Sequence, residues 1–278
     1  MSTKVRAISE TRWFHHSQTQ SNQLSHPRRT HKVSWVGQLH PEIESYTKVY
    51  AEYGLLTPKT IMAHCIYLSK EELDLLKSSG ASISHCASSN FNLSSGVLNV
   101  RKVVANGNKI GLGTDVSGGH AASMLDCIRQ TILASKVTYL AHAAASQKQS
   151  TGAVEKGEGA STSQQAQRLS GERLPTYTAG TFPECSPAEA PEPLSYKEAF
   201  YLATAGGAES IGLGHVTGNF LPGKEFDALL IETKAPGSPF DVFDDDTVED
   251  MFQKFIYLGD DRNISRVYVQ GKKVLPNI

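Results

Sequence analysis

Three residues stand where this chain could do chemistry: His64, His85 and Asp115. They are 21 and 30 residues apart, and each closes a short run: TIMA before His64, ASIS before His85, KIGLGT before Asp115. Two imidazoles and a carboxylate brought to one point suit a divalent ion such as Zn2+. An aspartate beside such a metal can also take a proton from bound water. Each residue has a plainer reading too. His64 reads as a satisfied histidine at the rim of the core, and His85 as a hydrogen-bonding partner for loop backbone. Asp115 reads as an N-cap or Asx-turn residue ahead of Gly118 and Gly119. The coincidence of all three favours a site, but spacing alone names no reaction.

The elements around these residues say why they would meet. After His64, Ser69 and Glu72 form a capping box that opens a helix ending at Gly80. After His85, CASSNFNLSSG reads as a polar loop and VLNVRKVVANG as a helix ending at Gly107. After Asp115, a Gly-Gly loop leads to a helix through MLDCIRQTILAS. Upstream, Ile43, Tyr46, Val49 and Tyr50 make the stripe of another helix. Strand, polar loop, helix, glycine, strand is the βα repeat of a parallel sheet buried on both faces. In such a sheet all three residues fall on the carboxyl edge, where active sites are built. A second capping box, Ser195 with Glu198, opens a helix to about Ala205. Residues 227–231 and 266–274 then read as short strands, the latter a hairpin turning near Gln270-Gly271, which makes a small β layer. Between these parts, residues 143–193 are dominated by Ala, Ser, Thr, Gln, Glu, Gly and Pro, and are expected to be a disordered insertion.

Composition narrows the function classes. The chain has 278 residues with Lys+Arg 27 against Asp+Glu 28, a net charge of −1. That balance argues against a nucleic acid or an anionic membrane as the main partner. No apolar run reaches the roughly 18–20 residues of a membrane helix, and the N-terminus lacks a signal-peptide core, so a cytoplasmic protein is expected. Four cysteines, Cys65, Cys86, Cys127 and Cys185, show no CxxC spacing, which argues against a zinc knot or a disulfide scaffold. GLGTDVSGG is not a dinucleotide fingerprint, because Val116 occupies the place of the third glycine. Neither GxxxxGK[ST] nor GxSxG occurs.

The segments KTIMAHCIYLSKEEL, GASISHCASSNFNLSSGVLNV, KIGLGTDVSGGHAASMLDCIRQ, GNFLPGKEFDALLI and FIYLGDDRNISRVYVQGKKV resemble the guanine deaminases of the amidohydrolase superfamily. The resemblance runs from about Val33 to Val274. It implies an α/β fold: the C-terminal half of a (β/α)8 TIM barrel with a small β-sandwich appendage. It also implies one Zn2+ per site, guanine as substrate, xanthine and ammonia as products, and a homodimer for the intact enzyme. By the same resemblance, Asp115 ligates zinc and shuttles protons, and His64 contacts the metal-bound hydroxide and the reacting centre. Both are therefore catalytic and metal-site residues, while His85 and Asn90 line the substrate pocket.

The expected division is 1–32 unmatched and disordered, 33–142 with 194–225 as partial barrel, 143–193 as insertion, and 226–278 as β-appendage and C-terminal barrel helix. Two motifs of the family are missing. No HxH pair occurs, and the positions aligned with the QxHxxE histidine and glutamate are Ser25 and Arg28. The chain is therefore expected to be a truncated copy that neither folds stably nor deaminates guanine alone. Two alternatives stand beside this reading: an aminohydrolase for another purine, a pterin or a triazine, and a non-catalytic fragment that binds an intact partner.

Overall fold

Four parallel strands and the helices between them set the architecture, seen in a computed structural model that describes residues 15–17, 39–40, 42–43, 45–151 and 192–274. The order is β1 (His15–Ser17), α1 (Tyr46–Glu52), β2 (Ile61–Ala63), α2 (Lys70–Ser79), β3 (Ser82–His85), α3 (Ala87–Asn92), α4 (Val100–Ala105), β4 (Lys109–Leu112) and α5 (Met124–Thr151). Then follow α6 (Tyr196–Ala203), α7 (Ala205–Ser210), β5 (Ala228–Ile231), α8 (Val248–Leu258), a 3-10 turn (Asp261–Asn263), β6 (Ile264–Val269) and β7 (Lys272–Lys273). The first sheet runs β1-β2-β3-β4 with every pairing parallel. Ile61 lies opposite Ser82, and Ser82 opposite Lys109, so the three strands end nearly level.

Local sequence explains most of these boundaries. Ser69 accepts from the Glu72 amide and Glu72 accepts from the Ser69 amide, which closes the expected capping box; α2 ends at Gly80 in the left-handed region. Ser195 and Glu198 do the same for α6. At α4 the capping residue is Asn99, whose side chain accepts from the Lys102 amide, three residues inside the helix that spacing suggested.

Three expectations change. The stretch after His85 was expected as loop, yet Ala87–Asn92 is helical, with Ala87, Ser88, Ser89 and Asn90 buried. Packing of this short polar segment against α5 overrides its weak helix propensity. Next, α5 continues past 143 to Thr151, into the segment expected to be disordered. Ala, Gln and Lys dominate AHAAASQKQS; they are good helix formers even without large apolar side chains. The remainder of the expected insertion, 152–191, lies outside the described residues. Finally, within the expected unmatched segment, residues 15–17 form β1, in register with Ile61–Ala63; the rest of 1–32 lies outside the described residues.

Two cores hold the layers. Met62, Ile83 and Ile110 from the sheet pack with Tyr50, Leu73, Leu76, Val100 and Val103 from α1, α2 and α4. Each such fully buried side chain contributes about 1.5–3 kcal/mol. Ile128 and Ile132 of α5, Ala199 of α6 and Phe255 and Ile256 of α8 make the second core with Phe240. Backbone meets backbone where α7 lies on β4: a Cβ on Gly111 would come within 2.9 Å of the Gly207 Cα.

The second sheet is antiparallel, ordered β5-β6-β7. Its hairpin turns at Gln270 and Gly271, both with positive φ (52° and 73°), as a two-residue type I′ loop demands. Among the described residues the appendage is this one sheet of three strands, in place of the expected sandwich.

Candidate active site at the carboxyl edge

The ends of β2, β3 and β4 bring His64, His85 and Asp115 to one edge of the parallel sheet, as the spacing expects. His64 follows β2 directly, and its amide still donates to the Ser84 carbonyl at 2.9 Å. It then leaves the strand with φ +66°, followed by Cys65 at +51°. Asp115 leaves β4 with φ +46°. Left-handed backbone at non-glycine residues costs of order 1–3 kcal/mol and gathers at functional sites, so the surrounding packing enforces these turns.

His64 is buried, and its Nδ1 lies 2.9 Å from Asn90 Oδ1. The amide oxygen can only accept, so Nδ1 carries the hydrogen. In the neutral ring Nε2 is then a lone pair. That nitrogen lies 3.6 Å from Asp115 Oδ2, whose side chain is one-third exposed. Two electron-rich atoms face each other across a gap that a proton or a cation between them would relieve.

His85 and Asn90 are buried beside this pair. Among the described residues, neither ring nitrogen of His85 has a hydrogen-bond partner, and the same holds for Asn90 Nδ2 and Ser89 Oγ. Burial, and secondarily the charge of His64, holds the His85 ring down to about 4, so it stays neutral near pH 7. Buried polar atoms without partners are costly, about 1–3 kcal/mol each, and recur where a ligand supplies the missing bonds.

The Gly-Gly loop keeps Asp115 in place. The Gly119 amide donates to the Asp115 carbonyl at 2.7 Å, and Asn92 Nδ2 donates to the Gly118 carbonyl at 3.2 Å. A Cβ on Gly118 would lie 2.9 Å from Asp115 Oδ2, and one on Gly119 only 2.1 Å from the Thr114 carbonyl oxygen. Both positions must stay bare.

A zinc ion can be tested against this geometry. Two ligands on a tetrahedral zinc, each at about 2.0–2.2 Å, stand roughly 3.3–3.6 Å apart, and His64 Nε2 and Asp115 Oδ2 match such an edge at 3.6 Å. Among the described residues, however, no group of three or more His, Cys, Asp or Glu can hold a metal. The pair supplies an edge of a zinc shell and does not fit a resident ion alone.

Residues 30–155 and 181–274 match the model of the amidohydrolase family. The chain belongs to that family. Amidohydrolases form a TIM-barrel-type superfamily, which accounts for the parallel βα units. Guanine deaminase from Dictyostelium discoideum is 42% identical over 243 residues, 87% of this chain and 44% of that protein. The structure of Escherichia coli guanine deaminase superposes with a TM-score of 0.65 at 29% identity, covering 98% of this amidohydrolase and 49% of that chain. Guanine deaminase from C. acetobutylicum, with guanine bound in its active site, gives 0.62 at 32% identity over 88% and 46% of the two chains. This amidohydrolase thus spans about half the length of the relatives it matches. Among its described residues, no helix is long and apolar enough to cross a membrane.

Spacing missed Ser88, Ser89, His120 and Asp126, which line or support this edge. His120 directly follows the Gly-Gly loop, and that adjacency is the only signal the sequence carried for it.

Proposed function

We propose that the carboxyl edge of this amidohydrolase serves the hydrolytic deamination of guanine to xanthine and ammonia. One observation carries the reading: a buried histidine, fixed by Asn90, stands 3.6 Å from a one-third-exposed aspartate beside buried polar atoms that lack partners among the described residues. A flat heterocycle with donors and acceptors along its rim is the kind of ligand that would satisfy His85, Ser89 and Asn90.

In this reading Asp115 takes a proton from the attacking water, whose oxygen bonds to the ring carbon bearing the amino group. That carbon becomes tetrahedral. Asp115 passes the proton it took across the 3.6 Å gap to the His64 Nε2 lone pair. His64, steadied from the far side of its ring by Asn90, delivers that proton to the departing nitrogen, which leaves both side chains as they began. The C–N bond breaks and ammonia leaves, so guanine plus water balances xanthine plus ammonia. The resemblance assigns one zinc to such a site, but the described side chains offer it two ligands rather than three or four. What this chain's own residues supply is proton handling and substrate placement.

The four parallel strands are read as the C-terminal half of the barrel. A cytoplasmic location and a homodimer belong to the same proposal and rest on the resemblance. The two-ligand count among the described residues favours a second reading, a chain that binds guanine without turning it over.

Assays of the purified chain with guanine, reading xanthine absorbance and ammonia together, test the proposal. Turnover that falls at least about 100-fold in Asp115→Asn supports it. Guanine bound but not converted favours the alternative, and no binding by calorimetry overturns both.

A further inference from the structure

A second polar array joins Ser88, His120 and Asp126, three residues outside the reacting pair. Ser88 Oγ lies 2.8 Å from His120 Nδ1, and the His120 amide donates to the same oxygen at 3.3 Å. The hydroxyl proton therefore points to Nδ1, which leaves the hydrogen on Nε2. That edge faces Asp126 Oδ2 at 3.4 Å. Asp126 Oδ2 is buried and takes no hydrogen bond from any described residue, and the His120 Nε2–H edge is the polar group that faces it.

Serine, histidine and aspartate in one row invite a nucleophile reading. The surroundings oppose it: Ser88 is buried within α3, and its oxygen already accepts from the His120 backbone. What the row does is connect. Ser88, Asn90 and Asn92 lie on the same six-residue helix. Asn90 holds His64, Asn92 binds the Gly118 carbonyl, and Ser88 binds His120 just beyond Gly119. Asp126, in the first turn of α5, backs the imidazole from the other side. The loop that begins at Asp115 is thus tied to α3 at two points, and α3 carries the partner of His64.

We infer that His120 is a positioning residue: by fastening the Asp115 loop to α3 it sets the spacing between Asp115 and the Asn90-held His64. The inference rests on reading that pair as the reacting groups.

The test uses the full chain and two variants. His120→Ala removes the side-chain contacts to Ser88 and Asp126 and leaves the backbone amide bond to Ser88 and the Asn92 tie in place. His120→Asn keeps an acceptor opposite Ser88, since Oδ1 takes the place of Nδ1. Hydrogen exchange at the Gly119 amide is expected to rise about tenfold or more in His120→Ala, while Leu73 and Leu76 in α2 stay protected as a control for global unfolding. The ring 15N resonances of His64 are expected to shift in His120→Ala and return in His120→Asn, which loss of stability alone would not produce. Where guanine is turned over, kcat is expected to fall about 10–100-fold in His120→Ala with KM within about twofold. Unchanged Gly119 exchange with unchanged His64 resonances overturns the role, as does failure of His120→Asn to restore them. If the parent chain makes no xanthine, the proposed function fails, while exchange and resonances still decide the role of His120.

Discussion

Gly119→Ala tests how tightly the loop dictates the site. The added Cβ would lie 2.1 Å from the Thr114 carbonyl oxygen and 3.4 Å from Ser88 Oγ. A carbon–oxygen contact needs about 3.3 Å, so the loop must open by about 1 Å. Thr114 is bonded to Asp115, and the Gly119 amide is bonded to the Asp115 carbonyl, so the opening is delivered to the carboxylate that faces His64. Overpacking of this kind costs about 1–3 kcal/mol. Removing a glycine restricts the unfolded chain and returns about 0.4–1 kcal/mol. The expected net loss is about 1–2 kcal/mol in urea unfolding. A displacement of about 1 Å at the reacting groups is also expected to lower any guanine turnover by about 100-fold. Gly271→Ala is the matched control. Its φ is +73° with none of the described residues within 4 Å of the new Cβ, so it strains the hairpin turn by about 1–2 kcal/mol and leaves the His64 resonances in place. A Gly119→Ala protein with the parent urea midpoint and unshifted His64 resonances would refute the steric reasoning.

Further outcomes follow from the same geometry. His85 titrates near 4 in the folded chain and near 6.5 when unfolded, so between those values the unfolded state takes up a proton that the folded state refuses. Stability is therefore expected to fall as pH drops through that window, by about 3 kcal/mol in all, and His85→Gln to flatten this limb in urea titrations; an unchanged limb contradicts it. Arg101 forks onto Glu198 at 2.5 and 2.9 Å and also donates to the carbonyls of Glu192 and Pro193, which binds α4 to the start of α6. Arg101→Ala is expected to cost about 1–2 kcal/mol, with Arg101→Lys recovering less than half because an ammonium cannot fork; full recovery by lysine refutes the bidentate account. Burial pushes the Cys86 thiol up to about 11 and Cys127 to about 12, and raises Cys65 as well. Native-state labelling at pH 8, read by peptide mass spectrometry, is expected to spare all three until urea is added.

The βα rhythm and the edge residues were legible because they depend on local signals and topology. Ser69 with Glu72 and Ser195 with Glu198 announce two helices within four residues each. His64, His85 and Asp115 follow parallel strands, and any parallel sheet collects such positions on one edge. Legibility stops where a local signal is weak or a long-range contact decides. Nothing in SSNFN favours a helix until α5 covers it, so α3 and its three site-supporting side chains read as loop. The low count of large apolar residues after 142 suggested disorder, whereas alanine needs no core to stay helical as far as Thr151. β1 is three residues of HHS, too short for any period to register, and pairing with β2 alone defines it.

The same distinction separates the reacting pair from its supports. Spacing can bring His64 and Asp115 to one mouth, but it cannot set the gap between them. That gap depends on where Asn90 stops the His64 ring and where the Gly118-Gly119 loop stops Asp115, and both stops are made on α3. With Nδ1 committed to Asn90, the neutral His64 ring faces the carboxylate at 3.6 Å with a lone pair. Left to themselves they repel, so a pair held this way stores an affinity for whatever positive charge enters between them, proton or metal. Loosening α3 by any of its ties would let the two groups relax apart and spend that affinity. The six residues of α3, which read as loop in the sequence, therefore control the property that makes the three conspicuous ones useful.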